Sequence, residues 1–168
     1  MNKVEQLKFI IQRVDHYYNG VNLKGTFFLG INTFILGICL TAISSVAEKG
    51  PEGMFQLYIV LSIITLASLI SIFSVLLAFL PFLKNGHSEG YKSRIFFGSI
   101  TNYKNAEHFS AEIDEMDEPN FIDDLAKQTY ILSKGLKSKS IKIRTAGIAL
   151  AISILLTIVF FILILNQL

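Results

Sequence analysis

Residues 145–168 have the sequence TAGIALAISILLTIVFFILILNQL and contain no Asp, Glu, Lys or Arg. Two further stretches, 25–47 and 54–83, are likewise uncharged and predominantly apolar. Roughly 18 consecutive uncharged apolar residues mark a helix that can cross a membrane, and all three stretches exceed that length. We therefore predict transmembrane helices over 25–47, 54–83 and 145–166.

The composition of the whole chain agrees with this interpretation. Of its 168 residues, 52% are hydrophobic and 17% are charged. Soluble domains carry about 25% charged residues. The composition excludes a soluble enzyme, and the length leaves no room for a two-domain enzyme. We expect an all-α membrane protein.

The positive charges are distributed unevenly along the chain. Of the 15 Lys and Arg residues, all but Lys49 lie in segments 1–24 and 84–144. Because short loops rich in Lys and Arg remain in the cytoplasm, we expect both segments there and the C-terminus outside. Segment 1–24 is amphipathic and lacks the apolar core of a secretory signal.

Both cytoplasmic segments have helical periodicity. Apolar residues recur every three or four positions in 1–24 and again from Ile122 to Leu136. We predict that each segment forms a helix continuous with a transmembrane helix, and that the two helices pack into a juxtamembrane bundle within one chain or between chains. Alternatively, the N-terminal helix lies flat on the lipid surface, which Tyr17 and Tyr18 would also suit.

Asn32 is the strongly polar side chain placed clearly inside a predicted transmembrane helix. It would form an interhelical hydrogen bond or face a pore, because an unpartnered amide in lipid is costly. No charged residue lies at membrane depth, which makes a secondary transporter improbable. Cys39, the one cysteine, is expected to serve in packing.

Signals for catalysis, metal binding and nucleic-acid binding are weak. Residues 86–90 (GHSEG) match the G-x-S-x-G pattern, but that motif requires a strand before Ser88 and a parallel sheet that this chain cannot build. The three histidines, His16, His87 and His108, lack metal-ligand spacing. A net charge of +2 with interleaved acids gives no nucleic-acid footprint. We expect neither an enzyme nor a metal site.

Three segments carry a resemblance to a known family. They are VNLKGTFFLGINTFILG (21–37), FFGSI (96–100) and DDLAKQTYILSKGLKSKSIKIRTAG (123–147). In this order they resemble the transmembrane effector domain of Pycsar, the bacterial pyrimidine cyclase system for antiphage resistance. The resemblance covers the chain from about Gln6 to Ile164.

The family's short motifs map onto particular residues. Its acid-x-Lys-small motif corresponds to Asn22, Lys24 and Gly25, with Asn22 in place of the usual acid. Its Phe-Gly pair corresponds to Phe97 and Gly98. The Leu-Ala-x-Gln motif supplies the remaining matches, Leu125, Ala126 and Gln128.

The resemblance implies a function. A partner cyclase would make cyclic CMP or cyclic UMP, and the effector, as a homo-oligomer in the bacterial inner membrane, would sense it in the cytoplasm and impair membrane integrity, causing abortive infection. The ligand carries one negative charge and a flat base, so its site needs cations, hydrogen-bond donors and an aromatic surface. The candidate residues for this activating ligand are Lys24, Gln128, Tyr130, Lys134 and Lys139.

A second hypothesis stays open beside the effector. The protein would then be a membrane scaffold or sensor subunit that acts through a protein partner and opens no pore. A membrane hydrolase is a third hypothesis, and it requires Ser88.

Overall fold

The computed structural model describes residues 2–47, 55–81 and 93–165, and this part of the chain forms helices without any strand. In chain order the helices are α1 (Lys3–Ala47), α2 (Phe55–Phe79), α3 (Phe97–Ile100), α4 (Ala106–Asp114) and α5 (Glu118–Leu165). Three of them, α1, α2 and α5, are long and apolar enough to cross a membrane. The prediction of an all-α membrane protein with three such helices is confirmed. Residues 48–54, between the first two predicted transmembrane helices, and residues 82–92, which include the end of the second, lie outside the described residues.

The two longest helices extend well beyond a bilayer. Helices α1 and α5 have 45 and 48 residues, which at 1.5 Å per residue corresponds to about 68 and 72 Å. A hydrocarbon core is about 30 Å thick. Each helix therefore combines a predicted transmembrane segment with a long polar extension.

The ends of α5 and α2 follow from proline chemistry. Helix α5 begins at Glu118 because Pro119 is tolerated in the first helical turn and the Asp117 carboxylate accepts a hydrogen bond from the Asn120 amide over 3.0 Å. Helix α2 ends at Phe79, before Pro81, since the residue preceding a proline disfavours helical geometry.

The chain divides into two compact units. The polar unit comprises Met1–Gly20 and Pro81–Ser138, and the apolar unit comprises Val21–Leu80 and Lys139–Leu168. Helices α1 and α5 each contribute residues to both units.

The core of the apolar unit is formed by α1, α2 and α5. Residues from all three helices are buried in it, among them Cys39, Leu61 and Phe160. Large apolar side chains such as Phe34 and Phe73 remain 71% and 63% exposed. This distribution is typical of a helical membrane protein whose outer surface faces lipid.

In the polar unit, α1 contacts the beginning of α5. The Tyr18 hydroxyl donates to the backbone carbonyl of Leu132 over 3.0 Å. Burial raises the pKa of Tyr18, and the nearby Asp15 raises it further. Val14 and Leu125 are buried in the same unit. The two apolar faces predicted from the sequence thus both face the interior of this unit.

Candidate functional site

The segment that precedes α3 is fixed by polar contacts in the polar unit. The hydroxyl of Ser93, which is 1% exposed, accepts hydrogen bonds from the backbone amides of Ile95 and Phe96 over 3.2 and 3.1 Å. The buried carboxylate of Asp124 on α5 accepts from the Arg94 amide over 2.8 Å. These contacts hold the segment against α5.

The Arg94 side chain continues this network to α4. Its Nε and Nη2 atoms both lie 2.9 Å from Oε2 of Glu112. The hydrogen bond to Glu112 raises the pKa of Arg94. Desolvation raises the pKa of Tyr103, which also interacts with Arg94. Arg94 therefore joins the segment to α4 and is already neutralised by a carboxylate.

Three of the five predicted ligand residues belong to the polar unit, where they differ in exposure. Gln128 is 7% exposed, whereas Tyr130 is 61% exposed. The Lys134 ammonium lies over the Tyr130 ring, 4.6 Å from its centroid. The structure thus pairs Tyr130 with Lys134 on the surface and buries Gln128.

The other two predicted ligand residues, Lys24 and Lys139, belong to the apolar unit. Lys24 is exposed, and Lys139 is 9% exposed. Burial lowers the pKa of Lys139, and the neighbouring Lys142 lowers it further. The Lys142 ammonium donates to the Leu77 carbonyl over 2.9 Å, near the end of α2, where backbone carbonyls lack helical partners.

The residues of the short motifs have identifiable surroundings. A Cβ on Gly25 would lie 2.6 Å from the Phe79 ring, so the motif requires a small residue there, while Asn22 is exposed. Phe97 is 63% exposed, and a Cβ on Gly98 would lie 2.5 Å from the Phe96 ring. These two glycines have a packing reason that is independent of any ligand.

In the apolar unit, polar side chains make two sets of hydrogen bonds between α1, α2 and α5, which together we call the polar seam. Asn32 Nδ2 donates to Ser71 Oγ over 2.8 Å, and Ser71 Oγ donates to the Ala146 carbonyl over 2.9 Å. Ser68 Oγ donates to Ser153 Oγ over 3.2 Å. Of the two alternatives for Asn32, the structure shows the interhelical hydrogen bond.

Asn32 also carries an unusual feature. Its Nδ2 donates a second hydrogen bond to the Phe28 carbonyl over 2.8 Å, but its buried Oδ1 accepts none from the described residues. An unsatisfied buried acceptor costs about 1–3 kcal/mol. This packing of the three helices therefore leaves one buried polar group that a different packing could satisfy.

Several residues that matter here were not predicted from the sequence. Arg94 pairs with residues 18 and 30 positions away, a relation that periodicity does not reveal. Arg13, whose Nη2 donates to the Tyr17 hydroxyl over 2.9 Å, was also missed, because the helix prediction rested on the apolar positions of α1. The spacing of Phe9, Arg13 and Tyr17, at intervals of four, was the available signal.

Potential metal ligands are not clustered among the described residues. No group of three or more His, Cys, Asp or Glu that could hold a metal ion occurs among them. Residues 86–90, with Ser88 and His87, lie outside this part of the chain.

The fold defines a helical membrane protein with a compact polar unit attached to its transmembrane helices. The model of the Pycsar effector protein domain matches residues 6–165, and the chain belongs to this family. The resemblance noted in the sequence is thereby confirmed, and the family places the protein among the membrane effectors of antiphage defence. No curated protein and no solved structure matches the chain.

Proposed function

We propose that this protein is a non-enzymatic effector that senses cyclic CMP or cyclic UMP through its polar unit and then impairs the bacterial inner membrane, causing abortive infection. A partner cyclase supplies the nucleotide. The observation that carries the proposal is the family match over residues 6–165, which includes both units.

The distribution of side chains supports a division of labour between the units. The polar unit presents cations and aromatic rings, as in the pair Tyr130 and Lys134, and these are the groups that bind a phosphate and a base. We retain Lys24, Gln128 and Lys139 as further candidates. With the N-terminus in the cytoplasm and the C-terminus outside, the polar unit meets a cytoplasmic messenger.

The continuity of α1 and α5 supports a route for the signal. Both helices contribute residues to both units, and a helix transmits a shift or rotation along its length because its backbone hydrogen bonds resist local deformation. Ligand binding in the polar unit would thereby bias the packing of the apolar unit.

An aqueous pore would require several copies of the chain. The centre of the apolar unit is filled by side chains such as Leu61, Ile64 and Val75, each at most 2% exposed. One copy therefore has no room for an aqueous path. We propose a homo-oligomer whose apolar units rearrange together.

Dye-loaded liposomes test the proposal directly. Purified full-length protein is incorporated, and cyclic CMP, cyclic UMP or linear CMP is added. We expect one cyclic nucleotide to release the dye and linear CMP to release little. Co-expression with the cyclase should depolarise cells.

The alternative function, a scaffold or sensor subunit acting through a protein partner, predicts a different outcome. Such a protein binds its ligand but leaves the liposomes intact. Silence at a saturating nucleotide concentration, with binding verified in the same preparation, would reject the membrane-damaging function.

A further inference from the structure

One face of α1 in the polar unit combines aromatic and cationic side chains. Phe9, Gln12, Arg13, His16 and Tyr17 line a hollow of about 370 Å³, and we call this group the Arg13 surface. Phe9 and Tyr17 are 52% and 50% exposed. The surface is therefore accessible in the structure of one chain.

The Arg13 surface lies on a different face of α1 from the one that contacts α5 in the polar unit. Val14 is buried, and Tyr18 donates to Leu132 on α5, so these residues mark the inward face of α1. Positions 9, 13 and 17 are each four residues apart and follow one another along a different face. The internal packing of the unit thus does not account for the Arg13 surface.

The Arg13 side chain contacts two aromatic residues, and neither of them carries a charge. Its Nη2 donates to the Tyr17 hydroxyl over 2.9 Å. Its Cζ lies 5.9 Å from the ring centroids of both Phe9 and Tyr17. A guanidinium has five N–H donors, so most of its capacity to bind an oxyanion remains.

Three other cations of the polar unit already have side-chain partners. In the described part of the chain, the two ion pairs are Arg94 with Glu112 and Lys127 with Asp123. Lys134 lies 4.6 Å from the centroid of one ring, Tyr130, whereas Arg13 is within reach of two rings. Among these groups, Arg13 offers a preorganised positive charge whose hydrogen-bonding partner is neutral.

We propose that the Arg13 surface binds the cyclic nucleotide, which carries one negative charge and a planar base. The identity of this ligand rests on the proposed function. The Arg13 guanidinium holds the phosphate, the Tyr17 or Phe9 ring stacks on the base, and the Gln12 amide is positioned to pair with the edge of the base.

Calorimetric titration of the full-length protein in neutral detergent tests this location. Cyclic CMP, cyclic UMP, linear CMP and inorganic phosphate are compared on wild type, Arg13→Gln and Tyr17→Leu. We expect Arg13→Gln to weaken binding of the active cyclic nucleotide about tenfold or more, because a charge-assisted hydrogen bond is lost. Tyr17→Leu should weaken it several-fold.

Lys3→Gln is the matched control. It removes one positive charge from the same helix but lies outside the Arg13 surface, so we expect its affinity to stay within about twofold of wild type, since screening weakens the effect of a distant exposed charge. Far-ultraviolet circular dichroism verifies that the exposed substitutions leave the helices intact.

The outcomes separate this inference from the proposed function. Wild-type binding that Arg13→Gln and Tyr17→Leu leave unchanged would overturn the location and leave the function standing. Absence of any cyclic-nucleotide binding by wild type would overturn both. Equal affinity for inorganic phosphate would reject the stacked base. A variant that loses affinity for anionic vesicles or changes oligomeric state, yet binds nucleotide normally, would assign the surface to lipid or to a second copy instead.

Discussion

Asn32 on α1 and Ser71 on α2 are joined by a 2.8 Å hydrogen bond, and both residues are fully buried in the apolar unit. Ser71 in turn donates to the Ala146 carbonyl on α5. In a bilayer the hydrophobic effect contributes little to helix association, so close packing and polar contacts determine it. These two hydrogen bonds therefore fix how the three helices meet.

The first prediction concerns Ser71. Ser71→Ala removes both interhelical hydrogen bonds, and we expect it to lower the free energy of unfolding by about 1 kcal/mol in detergent micelles. Ser74→Ala is the control, because Ser74 donates to the Ile70 carbonyl of its own helix. The double variant Asn32→Leu with Ser71→Ala should recover most of the loss, since it also removes the unsatisfied Oδ1. Equal effects of the two serine substitutions would contradict the role of the polar seam.

The second prediction compares two glycines of α1. A Cβ at Gly25 would meet the Phe79 ring at 2.6 Å and Val75 at 3.1 Å, whereas a Cβ at Gly30 would meet nothing within 4 Å. We expect Gly25→Ala to destabilise the apolar unit by about 1–3 kcal/mol through overpacking. Gly30→Ala should stabilise it by up to about 1 kcal/mol, because alanine favours the helix.

Thermal unfolding in the same detergent measures both glycine variants. Adding Phe79→Leu to Gly25→Ala should restore part of the lost stability, as it removes the ring that the new Cβ meets. If Gly25→Ala is as stable as Gly30→Ala, the prediction that a Cβ at position 25 overpacks against α2 is wrong.

The transmembrane helices could be predicted because their signal is local. Uncharged stretches of sufficient length, as at 145–168, require no knowledge of the partner helix. The interhelical bond of Asn32 was one of two alternatives, since a polar side chain in lipid needs a partner that the sequence does not identify.

The polar unit was harder to predict because its contacts are distant in sequence. Arg94 contacts Glu112 and Asp124, and the exposure of Gln128 and Lys139 depends on which face of α5 is covered. Charge and hydrogen-bonding capacity made these two residues candidates, but the structure buries both. Residue type alone cannot distinguish a ligand contact from a buried polar group.

The third prediction concerns the ion pair of Arg94 and Glu112. A double-mutant cycle with Arg94→Gln and Glu112→Gln should give a coupling energy of about 0.5–1 kcal/mol, since both side chains are about one-third exposed. The value should fall as salt is added. Lys127 and Asp123, which form a more exposed pair within α5, serve as the comparison and should couple less strongly. A larger coupling for the exposed pair would contradict this ranking.

The fourth prediction concerns the pH dependence of stability at Lys139. Burial and then the charge of Lys142 lower the pKa of Lys139 from the ordinary value of 10.5. Folding therefore disfavours its protonated form, and this cost is fully present below the lowered pKa and disappears as the pH rises towards 10.5. Lys139→Met, which keeps a similar apolar stem, should raise stability near neutral pH. The difference between variant and wild type should then shrink as the pH rises towards 10.5.

Lys137→Met is the matched control at an exposed position of the same helix, and we expect it to change stability little. The free energy of unfolding in detergent is measured from pH 7 to 10.5. If the difference between Lys139→Met and wild type stays constant or grows with pH, the charge of Lys139 is not disfavoured in the folded protein.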